Sequence, residues 1–296
     1  MTRSTLRNQR PKIALGKLML LFAGLALCVL QAAAQYTPPP PPPPPTYQYT
    51  APGPPPGSLL SPQQLDQLVA RIALYPDPLL AQILTASTYW PQIPEAAAWA
   101  NQHSYLHGDA LAEAIRADNL EFDPSILALL PFPSILNIMA QDMTWTQQLG
   151  NAVLVQRSSV MDAIQRLRRN AYDYGYLRSN PYYTIAKMGD YVEIQPVNPQ
   201  YIYVPTYDPL ILFRPPPPGF AISGAIHFGP AVVIGAAFWP WGWASPRLLW
   251  GPREIIIDET PWRRVWANRG FYVHPYEHAW VHRVGPRVEH HPIHHH

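Results

Sequence analysis

Thiol chemistry is almost absent from this chain: a single cysteine, Cys28, occurs in 296 residues. No disulfide can close within one copy, and no cysteine cluster can hold a metal. Charge is scarce as well, at 14% of residues, whereas 48% are hydrophobic. That balance excludes a chain disordered throughout and supplies enough apolar material for a core. The sequence contains no Gly-x-Ser-x-Gly elbow, no phosphate-binding Gly-x4-Gly-Lys-Ser/Thr loop and no Gly-x-Gly-x-x-Gly turn, each of which carries a definite chemistry. It therefore offers no catalytic residue and no cofactor-binding residue to assign.

What is present begins with the N-terminus. Arg3, Arg7, Arg10, Lys12 and Lys17 precede an apolar stretch over residues 18–30, and Ala32-Ala33-Ala34 precedes Gln35. Basic head, apolar run and small-residue triplet, in that order, form a secretory signal over residues 1–34. The chain is thus expected to reach the periplasm or cell envelope, with membrane association open. Three fates remain: cleavage after Ala34, lipidation of Cys28 in the context Leu25-Ala26-Leu27-Cys28, or retention as an anchor, since about 17 apolar residues just span a bilayer. The whole chain carries 21 Lys+Arg against 19 Asp+Glu, and removing the five basic residues named leaves 16 against 19, a net charge of −3. Nucleic acid is not the expected partner of such a chain.

Proline is abundant, with 38 residues, more than a packed domain absorbs when each lacks a backbone donor. Residues 38–45 are all proline, and residues 35–57 read as a Pro-rich linker. In polyproline II geometry such a segment is a stiff spacer of about 3.1 Å per residue. It serves either as a loose tail or, if its start is held at a membrane, as a stand-off rod.

Apolar periodicity then turns helical. Ser61-Pro62 is a cap followed by a residue preset for the first helical position, ahead of Leu65, Leu68, Val69, Ile72 and Ala73, which predicts a helix to about Leu74. Asp77-Pro78 and Asp123-Pro124 repeat the device. Further helices are expected over 95–101, 109–117, 135–140, 145–155 and 160–169, the last ending in Arg166, Arg168 and Arg169 as the helix dipole favours, with Gly175 as a stop. The expected fold is mainly α: a compact all-α domain over 58–175 followed by a small β unit over 176–212, flanked by Pro-rich and C-terminal disordered segments. Tyr191-Val192-Glu193-Ile194-Gln195 and Tyr201-Ile202-Tyr203-Val204 read as two strands joined by the turn Pro196-Val197-Asn198-Pro199, with a further strand over 254–258.

Several of these segments carry a resemblance. Ile72-Ala73-Leu74-Tyr75-Pro76-Asp77-Pro78-Leu79-Leu80-Ala81-Gln82-Ile83-Leu84 with Ala86-Ser87-Thr88-Tyr89, then Trp145-Thr146-Gln147-Gln148-Leu149-Gly150, then Asn198-Pro199-Gln200-Tyr201-Ile202-Tyr203-Val204-Pro205 and Tyr207-Asp208-Pro209 resemble a bacterial envelope family, domain of unknown function 3300. The resemblance covers residues 60–212. It implies a signal sequence and an envelope location, with no assigned activity and no catalytic residues to carry over.

Beyond it, residues 213–252 begin with the break Pro215 to Pro218 and continue as an apolar Gly/Trp segment. Residues 219–244 contain no formal charge and include Phe238-Trp239-Pro240-Trp241-Gly242-Trp243. Their length and terminal tryptophans suit a bilayer, while Pro230, Pro240 and His227 suit packing against the helical domain or a partner. Residues 253–296 are an Arg/Trp/His-rich tail, and His290, His291, His294, His295 and His296 are its weak metal candidates.

His103 and His107 stand four apart, the zinc-helix spacing, but Ser104 replaces the glutamate expected after the first, and Gly108 marks a helix end. The ordinary reading is two surface histidines in a helix-terminal loop. Asp77, Asp123 and Asp208 are the acids a wall-polymer hydrolase would use. Each precedes a proline, so capping already accounts for all three. Tyr201, Tyr203 and Tyr207 are expected to pack the strands onto the helices. Together these features favour a non-enzymatic scaffold or interaction module contacting envelope proteins or the membrane surface, with no cofactor and no assigned oligomeric state. The alternatives are an envelope hydrolase acting on peptidoglycan or another wall polymer, and metal handling by the His-rich tail.

Overall fold

At the first helix, α1 (Pro62–Val69), Ser61 and Gln64 form a reciprocal capping box: the Ser61 hydroxyl accepts from the Gln64 amide at 3.3 Å, and Gln64 Oε1 accepts from the Ser61 amide at 2.9 Å. The computed structural model describes residues 59–219, 222 and 224–272. The helix stops at Val69, short of the expected Leu74. Residues 70–75 instead form tight turns closed by bonds such as Tyr75 N–H to the Ile72 carbonyl at 3.0 Å. Pro76 biases Tyr75 away from helical geometry, so these turns do not run on into the next helix.

The next helix, α2 (Asp77–Ser87), buries every side chain except that of Pro78. A helix buried on all sides lies at the centre of a structure, and its polar Asp77, Gln82, Thr85 and Ser87 are hydrogen-bonded there. Around it lie α3 (Ile93–Gln102), α4 (Gly108–Ala117), the single turn α5 (Pro124–Leu127), α6 (Pro133–Gln141) and the long α7 (Met143–Asp173). The two helices expected at 145–155 and 160–169 are one helix with a kink at Gln156, where φ is −141° and ψ is 45°. Arg166, Arg168 and Arg169 consequently do not face a helix terminus. Arg166 pairs with Asp66 at 2.7 Å, Arg168 is buried, and Arg169 donates to the Asp190 carbonyl at 2.9 Å. The chain leaves the helix through Gly175, whose φ of +90° suits glycine.

Three small antiparallel sheets follow. The strands β1 (Tyr183–Met188) and β2 (Tyr191–Pro196) form a hairpin; β3 (Tyr201–Tyr207) pairs with β4 (Ile226–Val233); and β5 (Arg247–Leu249), β6 (Glu254–Ile257) and β7 (Thr260–Pro261) form a third sheet. The two strands expected over 191–195 and 201–204 are present with a turn between them. Residues 197–200 connect strands of different sheets, and each strand finds a partner outside the two runs. Between β3 and β4 lies α8 (Pro209–Leu212), capped by Asp208.

The core does not end with the helices. One apolar cluster joins Leu79, Leu80, Ile83 and Leu84 of α2 to Ile202, Phe238, Trp241, Trp243, Trp250, Ile255, Ile257 and Trp262. Burial of a large apolar side chain contributes roughly 1.5–3 kcal/mol, so these later residues are as much part of the core as the helices. The arrangement is accordingly helices followed by small antiparallel sheets on a shared core. Residues 219–244 supply β4 and the 3-10 turn Ala236–Trp241 to this packing. No helix among the described residues is long and apolar enough to cross a membrane. A C-terminal segment disordered from residue 253 is corrected too, because β6 and β7 place Ile255, Ile256, Ile257 and Trp262 in buried positions. The segment expected to be a signal sequence, the proline tract and His290, His291, His294, His295 and His296 lie outside the described residues.

Candidate binding groove

The loop between α3 and α4, the turn before α6 and the strands β3 and β4 enclose a groove of about 930 Å³, at the large end of the range for small-molecule and peptide sites. Its sheet wall runs over Val204, Pro205 and Thr206 of β3 and residues 229–233 of β4. A bulge falls at its middle, where Gly229 and Pro230 oppose Val204 alone. Proline at positions 205 and 230 denies the wall two amide donors, which disfavours simple addition of another strand.

Tyr75 and Tyr207 form part of the lining and tie the sheet to the helices. The Tyr207 hydroxyl donates to the Ala70 carbonyl at 2.9 Å and accepts from the Leu74 amide at 3.2 Å, and the two rings meet edge to face at 6.5 Å. Burial pushes the Tyr75 hydroxyl up to about 12 and that of Tyr207 well above its ordinary range. Both are therefore neutral near pH 7. Tyr203 packs on Tyr182 at 4.4 Å, whereas Tyr201 is exposed, so the three tyrosines expected to pack together divide their roles.

One end of the groove is polar. Arg71 pairs with Asp142 at 2.9 Å, and Asp142 also accepts from the Trp145 amide at 3.0 Å, which caps α7. That backbone hydrogen bond, followed by Arg71, holds the Asp142 carboxyl below its ordinary value. Neither residue was singled out in the sequence, although Asp142 three positions before Trp145 is a capping spacing. His103 stacks on Trp99 at 4.0 Å, with Nδ1 2.9 Å from the Trp99 carbonyl oxygen. It is the C-terminal cap of α3, while His107 is the N-terminal cap of α4. The two histidines thus share the rim without sharing a helix face. Among the described residues, no group of three or more His, Cys, Asp or Glu is placed to hold a metal ion.

The three aspartates expected to cap helices separate. Asp123 accepts from the Ser125 amide and hydroxyl at 2.9 and 2.6 Å, and Asp208 accepts from the Leu210 amide at 2.8 Å. Burial raises the Asp123 carboxyl to about 6. Asp77 is different and corrects its assignment as a cap. It is the first residue of α2, fully buried, and receives Arg168 Nη1 at 2.5 Å, Trp250 Nε1 at 3.0 Å and Gln195 Nε2 at 3.3 Å. None of the three lines the groove, and Asp142 is the single carboxylate among the described lining residues.

The family model described as a protein of unknown function, DUF3300, matches residues 61–282. The chain belongs to the DUF3300 family. The match runs past residue 212, so the apolar segment and the start of the Arg/Trp-rich segment belong to the DUF3300 region together with the helices. The uncharacterized protein YacH of Escherichia coli (strain K12) is 32% identical over 188 residues, covering 53% of this chain and 30% of that protein. This DUF3300 chain thus spans under a third of the length of the curated relative it matches. No solved structure matches it. Every residue lining the groove falls inside the family match.

Proposed function

We propose that this DUF3300 protein is an exported, non-enzymatic interaction module of the cell envelope, which holds an extended, largely apolar segment of a partner in the groove between α3, α6 and the β3–β4 pair. The observation carrying this reading is the groove itself. Away from its polar end its walls are mainly apolar side chains and prolines, its tyrosines are neutral, and its one described carboxylate is already committed to Arg71 and a helix cap. A hydrolase acting on wall polymer would instead use two carboxyl groups facing one cleft.

The envelope half of the proposal rests on the N-terminal signal pattern. Fractionation of cells expressing the native chain, with mass spectrometry of its mature N-terminus, is the test. Gln35 at the terminus in the periplasm, lipidated Cys28, or an intact terminus in the membrane fraction is the expected set of results. A full-length chain beginning at Met1 in the cytosol would overturn it.

A further inference from the structure

The last described segment, residues 260–272, contains Arg263, Arg264 and Arg269 and no Asp or Glu. It is fixed from beneath. Trp262 is buried in the core, Arg157 of α7 donates to the Trp262 carbonyl at 3.0 Å and to the Arg264 carbonyl, and Arg264 turns inward over the Tyr89 ring at 3.7 Å. The outer side carries the remaining groups. Phe271 is 91% exposed, Val265 is 39% exposed and the Arg263 side chain is 67% exposed. Arg269 lies over the Trp266 ring at 4.1 Å and donates to the Trp266 carbonyl at 2.7 Å. Arg263 meets one acid, Glu254, at 3.4 Å, and its amide donates to the Tyr272 hydroxyl at 3.0 Å.

An apolar ring standing in water, on a segment that also carries the exposed Arg263 and the half-buried Arg269 stacked on Trp266, matches the chemistry of a lipid headgroup layer. Aromatic rings partition into the interface between water and acyl chains, and arginines pair with phosphate oxygens there. The segment's own sequence carries three arginines and no acid, of which Arg264 turns inward and Arg263 meets Glu254, whereas the chain without its five N-terminal basic residues is −3. Anionic headgroups would therefore be drawn to this face against the sign of the rest of the molecule.

We propose that residues 263–271 form a membrane-surface contact, in which Phe271 and Val265 enter the headgroup layer of a bilayer bearing anionic phospholipid while Arg263 and Arg269 pair with its phosphates. The contact requires the envelope location proposed above but is independent of the groove. It would set the DUF3300 fold flat against a bilayer at its C-terminal end.

The test is co-sedimentation of the purified mature chain, from Gln35 to His296, with vesicles of phosphatidylcholine alone or mixed with phosphatidylglycerol. Binding is expected on the mixed vesicles and weakly or not at all on phosphatidylcholine, and it should fall as salt rises. Arg263→Gln should weaken it roughly fivefold, the value of about one surface arginine, and Phe271→Ser roughly tenfold. Both side chains are mostly exposed, so thermal melting should be unchanged and the loss attributable to the contact. Failure to bind mixed vesicles would overturn the inference, as would binding that neither variant weakens, or binding that inorganic phosphate abolishes while Phe271→Ser leaves it intact. Each of these results is separable from the fractionation outcome, which concerns where the native chain resides.

Discussion

Arg168→Met is expected to destabilise the fold by about 3–5 kcal/mol, the cost of leaving a buried partner charge uncompensated. The Arg168 guanidinium is inaccessible to solvent. It donates from Nε to the Ala73 carbonyl at 2.7 Å, from Nη2 to the Tyr75 carbonyl at 2.8 Å, and from Nη1 to both Asp77 at 2.5 Å and the Val192 carbonyl at 3.0 Å. It also lies over the Trp250 ring at 4.8 Å. One side chain therefore joins α7, the turn before α2, strand β2 and the segment after β5. Methionine fills similar volume but leaves three carbonyls and a carboxylate without this donor. Since domains are typically stable by only about 5–15 kcal/mol, the loss is a large fraction of the whole.

The deficit should depend on pH in a definite direction. Burial already raises the Asp77 carboxyl above its ordinary value, and Arg168 works against that rise. Without Arg168 the carboxyl rises further. A carboxyl whose folded pKa exceeds its unfolded one contributes stability below the unfolded value, and that stability is lost as pH climbs through the folded value. Chemical denaturation of Arg168→Met should therefore show a larger deficit at pH 8 than at pH 5. The double change Arg168→Met with Asp77→Leu should recover part of the loss at pH 8, because it removes the stranded charge. A deficit below 1 kcal/mol that does not vary with pH would mean that the pair is dispensable.

Gly150→Ala should also destabilise, although alanine is the better helix former by roughly 1 kcal/mol. Gly150 sits in α7 against the end of α2, and a Cβ added there would fall inside contact distance of the Ser87 carbonyl oxygen and 2.7 Å from its carbonyl carbon. Both opposing groups are backbone, so no rotamer change relieves the overlap. Overpacking of this kind costs about 1–3 kcal/mol, and a forced separation of two central helices belongs at its upper end. The expected net loss is about 2 kcal/mol, read as a lower denaturation midpoint with an unchanged slope. Neutral or stabilising behaviour would show that α2 and α7 do not approach so closely.

The two residues also mark what was legible in the sequence. Local signals worked where they were short-range: Ser61 before Pro62, Asp123 before Pro124 and Gly175 are read within a few positions, and each stands where the sequence predicts. The failures are non-local. Arg168 looked like a helix-end charge because nothing nearby reveals that α7 continues to Asp173 and that Asp77 lies opposite. Asp77 looked like a cap because Asp-Pro is a capping pair, while its partners Arg168, Gln195 and Trp250 are 91 to 173 residues away in sequence. Strand β4 was missed because Gly229 and Pro230 interrupt its alternation, and β1 because its six residues include the helix-favouring Ala186, Lys187 and Met188. The groove was only half legible: His103 and His107 drew notice for their spacing, whereas Arg71 gave no pattern and the capping spacing of Asp142 to Trp145 does not reveal the Arg71 pair. For the apolar Gly/Trp segment the prolines and His227 favoured packing over a membrane span, but not which surface it meets, since burial of Phe238, Trp241 and Trp243 depends on helices more than a hundred residues earlier.

The claim that the groove is where this protein meets its partner is open to direct measurement. Ile138 lines the groove and is 38% exposed, whereas Met188 on β1 is 60% exposed and lies outside it. A photo-reactive amino acid placed at each position in the native chain, irradiated in living cells and followed by mass spectrometry of the adducts, reports what touches each site. A discrete adduct from position 138 in the envelope fraction, mapped to an extended apolar segment and absent from position 188, is the predicted result. Identical adducts from both positions, or none from position 138 while 188 reacts, would contradict the account.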